Sequence, residues 1–212
     1  MDPTDMQRVA GLLIGGFVVF SVGAALWRQD YQRPLPVALP AIARSLRRWK
    51  WIHYWMIGGV LTTIAGIAGL TQLAVAAGDL VYATAGLVLF SVGGTLWLAG
   101  VAWRLTVLVS AARETENGGT VPTSAQPWSE WFGMLHNVHL IAAYLSWVAL
   151  GSAVLATGMV GAWAGWLGIG LGGFGAAGYI VLNGGPFAMP LLAHVYTLVL
   201  GITLLVNSLS QG

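Results

Sequence analysis

Six long runs of apolar residues dominate the chain, and its polar positions gather between them. A hydrocarbon core about 30 Å thick takes about 20 apolar residues to cross as α-helix. Runs near residues 7–27, 52–76, 80–109, 131–157, 160–182 and 187–209 meet that length. None shows the short alternating pattern of a membrane β-strand, so helices are the way their backbone groups are satisfied in lipid. The pattern predicts an all-α integral membrane protein, a six-transmembrane-helix bundle that forms one polytopic domain over residues 1–212.

Composition agrees with this. Hydrophobic residues make up 57% of the 212 and charged residues 8%, where a soluble domain carries roughly 25% charged residues. The mean hydropathy is +0.77. A soluble globular domain, a disordered chain, a coiled coil and a collagen-like fibre are all excluded. There is no cysteine, which removes thiolate metal sites, iron–sulfur clusters, covalent haem attachment and cysteine nucleophiles.

Three connections between runs are short, at Ala77–Asp79, Gly158–Met159 and Asn183–Pro186. Each predicts an antiparallel hairpin, and the last is a turn by composition, with Asn183 as a helix C-cap. The two longer connections, near 28–51 and 110–130, carry with their helix ends Arg28, Arg33, Arg44, Arg47, Arg48, Lys50, Arg104 and Arg113. The opposite side holds only Arg8. Eight cations against one predict cytoplasmic long loops and an N-out/C-out topology in the plasma membrane. The first run lacks a basic leader and is expected to remain as an anchor.

Within the first long loop, Pro34, Pro36 and Pro40 predict an extended path. Beyond it, Ile42, Leu46 and Trp49 share one helical face while Arg44, Arg47, Arg48 and Lys50 occupy the rest. Residues 41–50 therefore read as a short cytoplasmic amphipathic interfacial helix that meets anionic lipid. A solvated basic loop is the alternative. Nucleic-acid binding is not expected. The second loop, with Glu114, Glu116 and Asn117-Gly118-Gly119, reads as flexible. Tryptophans cluster toward both ends of the runs as an aromatic belt, and Trp97 and Trp147 lie deeper, where packing is the ordinary role. Gly161/Gly165 and Gly168/Gly172 in the fifth run, and Gly11/Gly15 in the first, are small-xxx-small pairs. They predict close helix packing, either within the bundle or with a protein partner or second copy.

Ionisable groups inside a bilayer are costly and point to function. No Asp, Glu or Lys falls mid-span, which weakens carboxylate-based proton pumping. Arg104 is expected to snorkel to the cytoplasmic surface. Four histidines remain: His53 at the start of the second run, His136 and His139 in the first turns of the fourth, and His194 in the sixth. At 1.5 Å per residue, His139 and His194 both lie roughly 12 Å inside. Imidazoles at equal depth on two helices suit the axial positions of one haem iron, with His139 and His194 as metal ligands. His136 and His53 are the accompanying cofactor-binding candidates. His136 shares a helix face with His139, so that either can ligate while the other bonds a propionate or a quinone carbonyl. A shallow His53/His136 pair near Arg47, Arg48 and Lys50 can meet propionates or an anionic headgroup. Purely structural histidines that bond between helices are the alternative, and His53 among Trp51, Tyr54 and Trp55 reads as an interfacial anchor. No nucleotide-binding, zinc-protease or serine-hydrolase motif is present, so no catalytic residue is assigned.

Six helices carrying His53, His136, His139 and His194 resemble the transmembrane b-type cytochromes in bundle size and histidine content, without a shared motif. Two-haem members of that class place ligand pairs near both faces, whereas here no histidine lies in the outer half, so the resemblance implies one haem. The expected function is a non-catalytic membrane subunit of an electron-transfer system, binding haem b or another tetrapyrrole beside a quinone. The alternatives are an accessory or assembly subunit packing through its glycine faces, and a small-solute transporter, which the lack of buried charge and of broken helices disfavours.

Overall fold

The computed structural model of the protein describes residues 2–211, and among these it contains helices and turns but no strand. The helices are α1 (Pro3–Ala25), α2 (Leu35–Ala43), α3 (Leu46–Ala76), α4 (Val81–Leu105), α5 (Val107–Gly118), α6 (Ala125–Thr157), α7 (Ala162–Val181) and α8 (Val195–Leu209). Short 3-10 segments occupy Gln29–Gln32, Gly185–Ala188 and Pro190–His194. Six helical stretches are long and apolar enough to cross a membrane, and the chain is a multi-pass, membrane-embedded protein.

Local chemistry sets several of the helix ends. Asp2 caps α1 by accepting the Thr4 amide at 2.8 Å, with Pro3 in the first turn. The Asp79 carboxylate accepts the Ala83 amide at 2.9 Å and opens α4. Gly158, in the left-handed region at φ +61°, closes α6. The spans form a ring in the order α8, α1, α3, α4, α6, α7, and a light contact between α7 and α8 closes it. Glycines set the tightest approaches. A Cβ at Gly59 would strike the backbone of Phe20, and one at Gly151 would strike the Gly165 carbonyl.

Two apolar cores fill the ring. One, toward the short α3–α4 and α6–α7 connections, includes Leu13, Ile67, Phe90, Trp147, Leu150 and Tyr196. The other, toward the long basic connections, includes Phe20, Ile42, Trp49, Trp97, Trp103 and Phe132.

The basic face departs from the sequence-based expectation in three ways. The proline segment is the helix α2 instead of an extended path. Pro36 falls in the first turn, where no amide hydrogen is needed, and burial of Ala38, Leu39, Ala41 and Ile42 offsets the bond lost at Pro40. Residues 41–50 are not one amphipathic helix: α2 ends at Ala43, the chain turns at Arg44–Ser45, and Leu46 starts α3. The amphipathic short helix is α5, in the connection expected to be flexible. It buries Leu108, Val109, Ala111 and Ala112, exposes Arg113, Glu114 and Glu116, and packs on α2.

The sixth span also differs. In place of a continuous helix from residue 187, the chain runs through 3-10 turns from Gly185 to His194 and becomes α-helical at Val195. Pro186 and Pro190 withhold two amide hydrogens, and Asn183, Gly184 and Gly185 all adopt positive φ, so the regular ladder cannot form there.

Candidate functional site

All four histidines point into the bundle. His53, His139 and His194 are at most 1% exposed, and His136 is partly buried. His53 is thus a core residue instead of a surface anchor. Because α6 begins at Ala125, His136 and His139 sit in its fourth and fifth turns, not its first. His194 closes the Pro190–His194 turn.

The helix contacts bring His139 and His194 to one level. Gly94 of α4 faces Val60 and Ile64 of α3, while Gly93 faces the backbone of His139. At that same height on α3, the Thr63 hydroxyl meets His194 Nδ1 at 3.1 Å. One aromatic cluster joins the two imidazoles. Phe20 lies 4.3 Å from His194 and 5.7 Å from Trp97, and Trp97 lies 6.1 Å from His139, all between ring centroids. His136 is one turn away on α6, its ring 6.4 Å from that of His139. His53 stands apart from the pair: ten residues before Thr63 on α3, it is about 15 Å nearer the basic face.

The bonds these rings make fix which nitrogens remain free. Thr63 donates its hydroxyl hydrogen to the Gly59 carbonyl at 2.9 Å, so His194 Nδ1–H donates to Thr63 and its Nε2 is left as a bare lone pair. His53 Nδ1–H donates to the Trp49 carbonyl at 2.7 Å, again leaving Nε2. His136 Nε2–H donates to the Ala188 carbonyl at 3.0 Å, leaving Nδ1. Neither nitrogen of His139 has a partner among the described residues. A buried polar atom without a partner costs about 1–3 kcal/mol. A ring held through one nitrogen with the other free is the arrangement by which proteins orient a metal-ligating histidine. Among the described residues no three His, Cys, Asp or Glu side chains cluster to hold a metal ion.

A cavity of about 400 Å³ adjoins this level on its basic side. Phe20, Trp27, Trp97, Arg104 and His136 line it, together with the 3-10 segment at Ala188–Leu191. The break in the sixth span thus forms one cavity wall, where irregular backbone is tolerated at membrane depth. Its carbonyls are met from α6, Ala188 by His136 and Phe187 by the Tyr144 hydroxyl at 2.9 Å. Arg104 does not snorkel outward. Its guanidinium carbon lies 4.1 Å from the Phe132 ring centroid and 5.2 Å from that of Trp27, and the side chain lines the cavity. The sequence did carry a signal for this: side chains on a helix lean toward its N-terminus, which for Arg104 at the end of α4 is toward the bundle interior.

The glycine face of the fifth run is largely spent inside the bundle. Gly168 meets Tyr196, while Gly172 and Gly175 meet Tyr144. Gly11 and Gly15 of α1 and Gly170 and Gly173 of α7 have nothing within contact distance of an added Cβ.

Compared with protein-family models, with curated proteins and with solved structures, the chain matches none.

Proposed function

We propose that the protein is a small membrane subunit that binds one b-type haem, or another tetrapyrrole, through His139 and His194 and serves electron transfer, with a quinone as its membrane-soluble redox partner. The observation that carries this reading is the pair of buried imidazoles at one level, one with its free Nε2 set by Thr63 and the other with no nitrogen bonded. Aromatic and aliphatic side chains surround both rings, as an apolar macrocycle requires. Such a group would supply reversible one-electron chemistry, and the protein's part would be to ligate it and exclude water. Phe20 and Trp97 lie between the cavity and the two histidines, so the reading requires these side chains to turn when the ligand enters.

In this reading the basic face is cytoplasmic, both termini are outside and the membrane is the plasma membrane, as the distribution of Arg and Lys favours. Anionic lipid headgroups meet Arg44, Arg47 and Arg48, which line an open surface groove of about 470 Å³ with Trp51. A second reading, as a structural subunit in a larger membrane assembly, is favoured by the outward glycines Gly11, Gly15, Gly170 and Gly173.

The visible spectrum of protein purified in detergent tests the proposal. A Soret band that shifts on dithionite reduction and disappears in both His139→Ala and His194→Ala is the expected result. A colourless, folded preparation that added haemin leaves unchanged overturns it.

A further inference from the structure

The cavity beside His136 contains a cation without an anion. Arg104 makes no ion pair: among the described residues these are Arg8 with Asp5 and Arg28 with Asp30, both on the surface. The guanidinium rests on the faces of Trp27 and Phe132, which stabilise a cation but leave its in-plane N–H groups unbonded. The indole N–H of Trp27, another lining residue, is buried and also lacks an acceptor. Two unmet donors, one of them charged, thus share a cavity of about 400 Å³ whose other walls include Phe20, Met56 and Trp97. An unpaired charge in such surroundings is costly unless a ligand supplies the counter-charge.

We propose that this cavity binds a carboxylate carried on an apolar body. Arg104 grips the two coplanar oxygens with its planar fork, Trp27 Nε1–H adds a third donor, and the aromatic and methionine walls hold the apolar part. Two molecules share this chemistry: a tetrapyrrole bearing propionates, which rests on the reading above, and a free fatty acid, which does not.

The full-length protein in non-ionic detergent is titrated with haemin, with haem dimethyl ester, with 9,10-dibromostearate and with its methyl ester. Each is followed by quenching of tryptophan fluorescence, since Trp27 and Trp97 line the cavity. At least one acid is expected to bind wild type about 10- to 100-fold more tightly than it binds Arg104→Gln. Its ester should bind both proteins alike, and Arg104→Lys should recover part of the difference. The acid that shows the effect identifies the source. Equal affinity of acid and ester for wild type overturns the proposal even if a variant fails to fold, as does failure of both acids to bind. A bis-imidazole haemin spectrum without any acid–ester difference removes this inference and leaves the tetrapyrrole reading standing. Selective binding of dibromostearate alone does the reverse.

Discussion

Around the short connections, buried polar side chains are bonded across the bundle. Ser146 donates to the Gly86 carbonyl, Thr71 to that of Ala83, Tyr196 to Ala164, and Asn207 to Met159. From the middle of the bundle to the basic face the pattern reverses. His53, His136, His139 and His194, with the indoles of Trp27 and Trp103, each keep a buried nitrogen without a partner, against the Trp147 indole alone in the first region among the described residues. The first region uses polarity to lock helices together in a medium that offers no competing water. The second retains groups that weaken the ligand-free fold, and it retains them beside the cavity and the unpaired Arg104. Bonded and unmet polar groups thus gather toward opposite ends of one bundle.

Substitutions in the two regions should therefore differ in kind. The largest effect is expected from Gly151→Leu, whose side chain would collide with the Gly165 carbonyl and the backbone of Ile169. A loss of about 3 kcal/mol or more is expected, because backbone atoms have little room to yield. Thermal unfolding in detergent measures this, and the fraction that remains folded should bind ligand normally. His139→Leu comes next and should act in the opposite direction. Removing a buried imidazole with two unmet nitrogens is expected to stabilise the ligand-free protein by about 1–2 kcal/mol while abolishing haemin binding. A destabilised His139→Leu protein would instead mean that the ring is part of the scaffold. The smallest effect is expected from Ser146→Ala, a loss of about 0.6 kcal/mol, typical of one hydrogen bond between membrane helices, with ligand binding intact.

The spans were readable because hydropathy averaged over twenty residues needs no knowledge of what each side chain touches. The same counting puts His139 and His194 at a common level, but it assumes regular helix from residues 131 and 187, whereas α6 starts at Ala125 and residues 185–194 are 3-10 turns. Direction does not follow from it. A window average treats Arg104 as a cation at a helix end, and only its lean toward the N-terminus of α4 separates an inward guanidinium from an outward one. The break before α8 escaped for a related reason: Phe187, Met189, Leu191 and Leu192 keep residues 185–194 apolar enough to be averaged into the span that follows. The departure is written in Gly184-Gly185-Pro186 and Pro190, each of which also occurs in ordinary turns. The pairing of α2 with α5 depends on contact between two separate connections, which no local pattern records. His53 looked interfacial because aromatic neighbours in sequence mark a headgroup boundary, while in space Trp49 and Trp27 enclose it.

The stretched entry to the last span bears on how the protein is made. The 15 residues of α8 rise about 22 Å, short of the roughly 30 Å of hydrocarbon they must cross. The five residues of 3-10 turn that lead into it add about 10 Å at their longer pitch and make up the difference. The segment is as apolar as the other spans, with a mean hydropathy of 1.7, so its entry into lipid needs no help, but its irregular turns need partners for their backbone groups. It settles when earlier helices offer a berth, with Thr63 waiting for His194 and α6 for the carbonyls of Phe187 and Ala188. Because this is the last span to be synthesised and residues 188–191 form one wall of the cavity, the cavity is completed only when the sixth crossing docks.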